Sequence, residues 1–374
     1  MLRPIDKWLS EKLDERKAKN IWRSLPAQNK GIDFTSNDYL GLAQSEKLFQ
    51  AIEQKIEILP KQNGARGSRL LSGNYLYTEQ VEKKLAHIFG SEATLIFNSG
   101  YSANLAVLSS IPQKGDTIIY DELAHACIKD GARLSLAKRF SFRHNDLTDL
   151  EQKIKHSQGK VFIVVESVYS MDGDECPLLE LTLLAEEYGA SIILDEAHST
   201  GVLGQNGSGL AASLGSQDNI AVRLYTFGKA MGIHGACVSG SEVLINYLIN
   251  FARPFIYTTA PSQHSIASIE CAFDYLSANP SLQQILSGKI RLYLAGVKDL
   301  QNRTSSKSSI QTVIYPGVEK TKNAAAILQK KGFDVRPILY PTVPKQTERL
   351  RICLHSYNHE DEITALTDAL NELA

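Results

Sequence analysis

The sequence predicts an α/β fold, with a mostly parallel central sheet in a large domain and a small α+β domain after it. Three observations carry this reading. From about Ala93 to Ser239, short β-branched runs alternate with longer amphipathic segments. Each run is apolar at almost every position, which marks strands buried on both faces between helical layers. From about Pro280 onward the pattern changes to helices mixed with alternating extended segments, and 374 residues suffice for two lobes.

The elements follow in order. Pro4 to Arg23 reads as an N-terminal helix packed with the small domain. Thr94-Leu95-Ile96-Phe97, Thr117-Ile118-Ile119-Tyr120, Val161-Phe162-Ile163-Val164-Val165, Ser191-Ile192-Ile193-Leu194 and Val222-Arg223-Leu224-Tyr225 are the strands of the large sheet. Beyond them lie a helix near Lys289 to Leu300, a polar loop at Asn302 to Ser309, an alternating strand from Ile310 to Tyr315 and a helix from Lys320 to Lys331. Extended residues from Arg349 to Leu354 and a closing helix from Asp361 to Leu373 complete the chain. The expected domains are an N-terminal helix and arm over 1–38, a large domain over 39–275 and a small domain over 276–374.

Composition narrows the function. Forty basic residues against 41 acidic ones leave no electrostatic footprint for nucleic acid or an anionic membrane, so small-molecule chemistry is the default. The five cysteines, Cys127, Cys176, Cys237, Cys271 and Cys353, lack the C-x-x-C spacing of zinc or redox sites. No metal is expected, and a reducing cytoplasm is. No apolar run resembles a signal peptide, and none sustains the ~18 apolar residues of a membrane span.

In parallel sheets ligands bind beyond the carboxyl ends of the strands, and that rule selects the residues to read. After Phe97 comes Asn98-Ser99-Gly100-Tyr101, opening a helix whose N–H groups suit a phosphate. After Val165 comes Glu166-Ser167-Val168-Tyr169-Ser170, after Leu194 Asp195-Glu196-Ala197-His198, and after Tyr225 Thr226-Phe227-Gly228-Lys229. One lysine, one carboxylate and one imidazole at neighbouring strand ends suit an aldehyde cofactor with a pyridine ring, pyridoxal phosphate (PLP). Such a cofactor needs an amine to hold it as an imine, an anion at the ring nitrogen and a donor beside its phenolic oxygen. Each residue has a plainer alternative: a surface lysine, an Asp capping the next helix, a structural histidine.

Other residues join the candidate set. Ser170 and Thr226 offer hydroxyls to the phosphate or ring, and Thr258 and Thr259, after Phe255-Ile256-Tyr257, could supply another. His125, just past the second strand, could stack on the ring or sit satisfied in the core. Arg349 and Arg351 alternate and so face one side. Either could grip a substrate carboxylate bidentately, and spacing does not choose between them. The segment from Gly64 to Gly73 lacks the Gly-Lys-Ser/Thr ending of a P-loop, and no dinucleotide fingerprint follows a strand. It either shapes backbone near the site or forms a flexible surface loop.

Ser36-Asn37-Asp38-Tyr39-Leu40-Gly41-Leu42, Ser99-Gly100-Tyr101-Ser102-Ala103-Asn104, Ser170-Met171-Asp172-Gly173-Asp174, Asp195-Glu196-Ala197-His198-Ser199-Thr200-Gly201 and Thr226-Phe227-Gly228-Lys229-Ala230 together resemble the α-oxoamine synthases. The resemblance runs from about Asp14 to the C-terminus. It implies the aspartate aminotransferase-like fold type I of PLP-dependent transferases, PLP as cofactor, and a homodimer with shared active sites. Carried over by position, it implies Lys229 as the imine-forming amine, Asp195 at the pyridine nitrogen, His198 at the phenolic oxygen and His125 stacked on the ring beside the substrate. Gly100, Tyr101, Ser170 and Thr226 would hold the cofactor, with Thr258 or Thr259 reaching its phosphate from a partner subunit.

The resemblance also implies substrate contacts. Arg23 and Thr342 match substrate-binding positions, Arg351 matches the arginine for the amino acid carboxylate, and Asn37 lies near it. Arg351 is thereby preferred to Arg349 by analogy. The Asn37 to Leu42 wording and Pro341-Thr342-Val343-Pro344 resemble the branch that condenses L-alanine with a pimeloyl thioester, on coenzyme A or acyl carrier protein. Glycine-using and serine-using branches, and an inactive scaffold subunit, are the alternatives. Arg69 is similar to the glycine-using members, His234 occupies a variable position, and the short segment between Leu25 and Asp33 implies a reduced N-terminal hairpin.

Overall fold

In chain order the extended segments are β1 (Ile32–Asp33), β2 (Ala93–Phe97), β3 (Thr117–Asp121), β4 (Lys138–Phe142), β5 (Val161–Glu166), β6 (Ser191–Asp195), β7 (Val222–Thr226), β8 (Ala236–Gly240), β9 (Ile310–Ile314), β10 (Phe333–Asp334), β11 (Arg336–Ile338) and β12 (Arg349–Cys353). They belong to a computed structural model that describes residues 3–25 and 31–373. The expectation of a reduced hairpin between Leu25 and Asp33 falls on residues 26–30, outside the described residues. Two compact units emerge, one comprising 37–170 and 174–287, the other the residues up to Ser36 with 171–173 and 288–374.

In the larger unit β2 to β8 form one sheet, ordered β2-β8-β7-β6-β5-β3-β4. Only β8 is reversed, running antiparallel to β2 and β7, so the sheet is mostly parallel as the sequence predicts. The two-residue period of a strand explains its continuous apolar runs. Val164, Ile193 and Leu224 face one core with Leu95, Phe97 and Ile118. Ile163, Val165, Ile192 and Leu194 face the opposite core with Ile119. Burying each such side chain contributes about 1.5–3 kcal/mol.

Two strands escape the sequence reading. At the sheet edge, β4 exposes Lys138, Arg139, Phe140 and Ser141, so no apolar run announces it, and its charges discourage pairing with another chain. In β8 the small residues of Ala236-Cys237-Val238-Ser239-Gly240 give an equally weak signal.

Helices α1 (Pro4–Ala18), α2 (Glu46–Glu57), α3 (Leu76–Ile88), α4 (Gly100–Ser110) and α5 (Ala126–Leu134) precede or follow the early strands. α1 ends at Ala18 and not at Arg23, because Asn20 turns left-handed with φ +52°. α4 buries Ala103, Ala106, Val107 and Leu108 against the sheet and carries one buried amide, Asn104. The 64–73 segment is closed by hydrogen bonds and an ion pair. Gly73 N–H donates to Ser68 O at 2.9 Å, Ala260 N–H donates to Gly67 O at 3.0 Å, and Arg69 grips Glu82 with bonds of 2.7 and 2.9 Å.

In the smaller unit β12 is the middle strand of an antiparallel β11-β12-β9 sheet, and β1 pairs with β10. Helices Val318–Lys330 and Glu360–Glu372 lie close to their expected bounds. The helix expected from Lys289 starts at Ser281, since the apolar spacing Leu282, Ile285, Leu286, Ile290 and Tyr293 runs along its whole length. Among the described residues, no helix is long and apolar enough to cross a membrane.

Candidate active site

The parallel strands of the large unit end on one rim, and a cavity of about 270 Å³ lies there. Asp195 ends β6 and is 4% exposed. A carboxylate so placed needs compensation. Its Oδ1 accepts the Ala197 N–H at 2.9 Å and its Oδ2 accepts Asn104 Nδ2 at 2.8 Å. Asn104 also donates to Gly100 O at 3.1 Å, while its own Oδ1 is buried without a partner among the described residues.

At the start of α4, Ser99 and Ser102 cap one another through reciprocal backbone bonds of 3.2 Å. The next N–H groups, of Gly100 and Tyr101, have no carbonyl within the helix to meet. Only glycine fits at position 100, where a Cβ would stand 2.2 Å from Thr226 Cγ2. The arrangement leaves room for an anion at the helix N-terminus.

Lys229 is half-buried in the turn after β7. That turn closes on itself through Phe227 N–H to Gly235 O at 2.9 Å and Ile233 N–H to Phe227 O at 3.0 Å. His198 Nδ1 lies 2.8 Å from the Tyr39 hydroxyl, which donates to Asn37 Oδ1 at 3.0 Å. His125 caps α5 and faces the cavity, with its backbone N–H donating to Glu166 Oε1 at 2.5 Å. Desolvation, with Lys229 adding to it, pushes the His125 pKa down against the opposing pull of Asp195. Glu166 ends β5 fully buried, and burial together with the Asp195 charge pushes its carboxyl pKa upward.

These residues fit a phosphorylated pyridine aldehyde. They offer open helix N–H groups, an oriented carboxylate, an amine and two imidazoles around one cavity, with a buried amide oxygen at its floor. Residues 29–370 match the family described as aminotransferase class I and II. The chain belongs to this family. Relatives of this aminotransferase-family chain include an 8-amino-7-oxononanoate synthase of Emericella nidulans, 38% identical with 97% of this chain and 94% of the relative covered. An 8-amino-7-oxononanoate synthase 2 of Bacillus subtilis is 36% identical over 99% and 98%. Among solved structures, an 8-amino-7-oxononanoate synthase from Francisella tularensis is 31% identical with TM-score 0.79, over 92% of this chain and 96% of that one. A serine palmitoyltransferase from S. paucimobilis with a PLP-containing ligand bound has TM-score 0.89 at 24% identity, over 100% and 98%. The fold is that of the PLP-dependent aminotransferases.

Within this family member, Asn37, Gly100, Tyr101, His125, Asp195, His198, Thr226 and Lys229 all line the one cavity, and so does His234. Ser170 is buried but is not among the lining residues. Thr258 and Thr259 also stand outside the lining, tied to it by Asn98, whose Nδ2 reaches Thr258 Oγ1 at 3.4 Å and Thr259 O at 2.9 Å. In the smaller unit Arg23 Nη2 donates to Thr342 Oγ1 at 3.0 Å. Arg349 is ion-paired to Asp172 and donates to Thr347 O at 2.8 Å, whereas Arg351 Nη1 meets Cys353 Sγ at 2.9 Å.

Sequence reasoning gave no role to Asn104, Glu166, Cys127 or Tyr39. Glu166 carried a usable signal, since it ends an apolar strand just as Asp195 does and sits beside it in register. Asn104 had only its polarity inside a nearly apolar helix.

Proposed function

We propose that the chain is an 8-amino-7-oxononanoate synthase, a PLP-dependent acyltransferase that joins L-alanine to a pimeloyl thioester in biotin synthesis. The observation that carries this is the convergence of Lys229, Asp195, His198 and His125 on one cavity, in a chain whose relatives bear that name over nearly their whole length. When bound, PLP supplies the electron sink that makes the alanine Cα–H acidic. Lys229 Nζ takes the Cα proton and returns one after carbon dioxide leaves. Asp195, held by Ala197 N–H and Asn104, keeps a proton on the ring nitrogen. His198 orients the phenolic oxygen, and Gly100, Tyr101 and Thr226, which line the cavity, hold the cofactor. The new carbon–carbon bond joins alanine Cα to the thioester carbonyl, whose thiol departs.

Arg351 receives the alanine carboxylate, and Asn37 also serves substrate binding. Arg23, with Thr342, reads the far carboxylate of the pimeloyl chain. Arg23→Ala should then raise KM for the pimeloyl substrate about tenfold or more and leave that for alanine nearly unchanged. Equal effects on both would remove the assignment. A cytoplasmic homodimer, with Thr258 and Thr259 serving the partner's phosphate site, completes the reading, and either coenzyme A or acyl carrier protein carries the acyl group.

Incubation with L-alanine and pimeloyl-CoA, followed by mass analysis, tests the function. The expected product is 8-amino-7-oxononanoate. Glycine with acetyl-CoA and serine with palmitoyl-CoA are parallel arms, and turnover confined to either of those would replace the assignment.

A further inference from the structure

The contacts of His125 fix more than its position. Its Nδ1 accepts the Cys127 backbone N–H at 3.3 Å, as a side-chain cap of α5. An amide N–H only donates, so this ring nitrogen carries no proton. Cys127 Sγ lies 2.9 Å from the same nitrogen. The thiol is 3% exposed, and burial pushes its pKa well up, so it remains an S–H and adds a second donor. Nε2 makes no hydrogen bond among the described residues, and His125 lines the cavity.

We propose that His125 serves the reaction as a neutral imidazole with its proton on Nε2, and that Cys127 is the positioning residue that sets this tautomer. The α5 N-terminus disfavours an imidazolium at its cap. Of the charged groups that face the ring, Lys229 from the turn after β7 and Lys129 from α5 act in the same sense, while Asp195 from β6 and Asp130 from α5 oppose them. Glu166 from β5 spends its 2.5 Å bond on the backbone N–H and fixes where the ring stands. The Nε2–H is then a standing donor for a substrate carboxylate or for the oxygen that gains charge as the thioester is attacked. A neutral donor keeps that role on both sides of neutral pH, because it neither needs nor releases a proton.

The use made of His125 rests on the proposed acyl transfer, but its tautomer can be measured without substrates. Long-range ¹H–¹⁵N spectra of histidine-labelled full-length protein, with and without PLP, report both ring nitrogens, and His125→Asn assigns the signals. At neutral pH the wild type should show Nδ1 unprotonated and Nε2 protonated. Cys127→Ser, which retains a donor, should keep that pattern. Cys127→Ala keeps the backbone N–H and removes only the thiol donor, so the Nε2–H tautomer should persist while the His125 pKa rises by about half a unit. A protonated Nδ1 in the wild type, or identical titrations of wild type and Cys127→Ala, would overturn the proposal. If Cys127→Ala does not fold, the wild-type spectrum and Cys127→Ser still decide it. Failure of the alanine and pimeloyl-CoA assay with this tautomer observed would remove only the substrate assignment.

Discussion

Two histidines of the large unit are held in opposite ways. His144 has a carboxylate at each ring nitrogen, with Nδ1 at 3.0 Å from Asp121 and Nε2 at 2.8 Å from Asp174. Desolvation alone would lower its pKa, but the two ion pairs outweigh that and hold it up at about 10. His125 has neutral donors at one nitrogen and no hydrogen bond at the other among the described residues, it lines the cavity, and desolvation lowers its pKa. The first ring is saturated and serves as a clamp, drawing together β3 and the Tyr169 to Asp174 turn, which closes with Tyr169 N–H on Asp174 O at 2.9 Å. The second keeps one donor unspent, as a ring that must meet a ligand requires. Full partnership marks structure here, and partial partnership marks chemistry.

The largest test of that contrast is at the cavity. Asp195→Asn keeps a side chain that Ala197 N–H can bond but removes the negative charge, and turnover should fall about 10²–10³-fold with little change in melting temperature. A loss of stability without loss of turnover would put Asp195 with the clamp. His144→Ala should do the reverse. It leaves the buried Asp121 without its cation and should cost about 3 kcal/mol in urea unfolding, with PLP affinity per folded molecule retained.

The clamp also predicts a pH dependence. A histidine with an unfolded pKa of ~6.5 and a folded value of about 10 contributes stability that is complete below the first value. That contribution is lost as pH rises toward the second. Wild-type unfolding free energy should therefore fall across that alkaline window, and His144→Ala should show a shallower slope. Parallel slopes for the two proteins would mean that His144 is not charged. Smallest of all, Asn104→Ala should weaken PLP binding by about 1–2 kcal/mol, because Asp195 keeps the Ala197 bond but loses the one to its other oxygen. Spectroscopic titration with PLP would measure it.

The same division explains what the sequence could tell. β5 and β6 were legible because strands buried on both faces spell out their burial, and Asp195 and Lys229 because polar residues stand out at the ends of such strands. β4 was not, because an edge strand keeps its charges in water, nor β8, whose side chains are small. Cys127 reads as an ordinary small residue of a helix, and only the cap geometry of α5 gives it meaning. The choice between Arg349 and Arg351 was closed to spacing because both face one side of β12.

The proposed chemistry depends on an amine at position 229 that binds a vitamin B6 aldehyde covalently. Borohydride reduction of the PLP-loaded protein, then digestion and mass analysis, tests this directly. The peptide containing Lys229 should carry the mass of a reduced pyridoxyl adduct, absent from Lys229→Ala. An unmodified Lys229 peptide, or an adduct on another lysine, would contradict it.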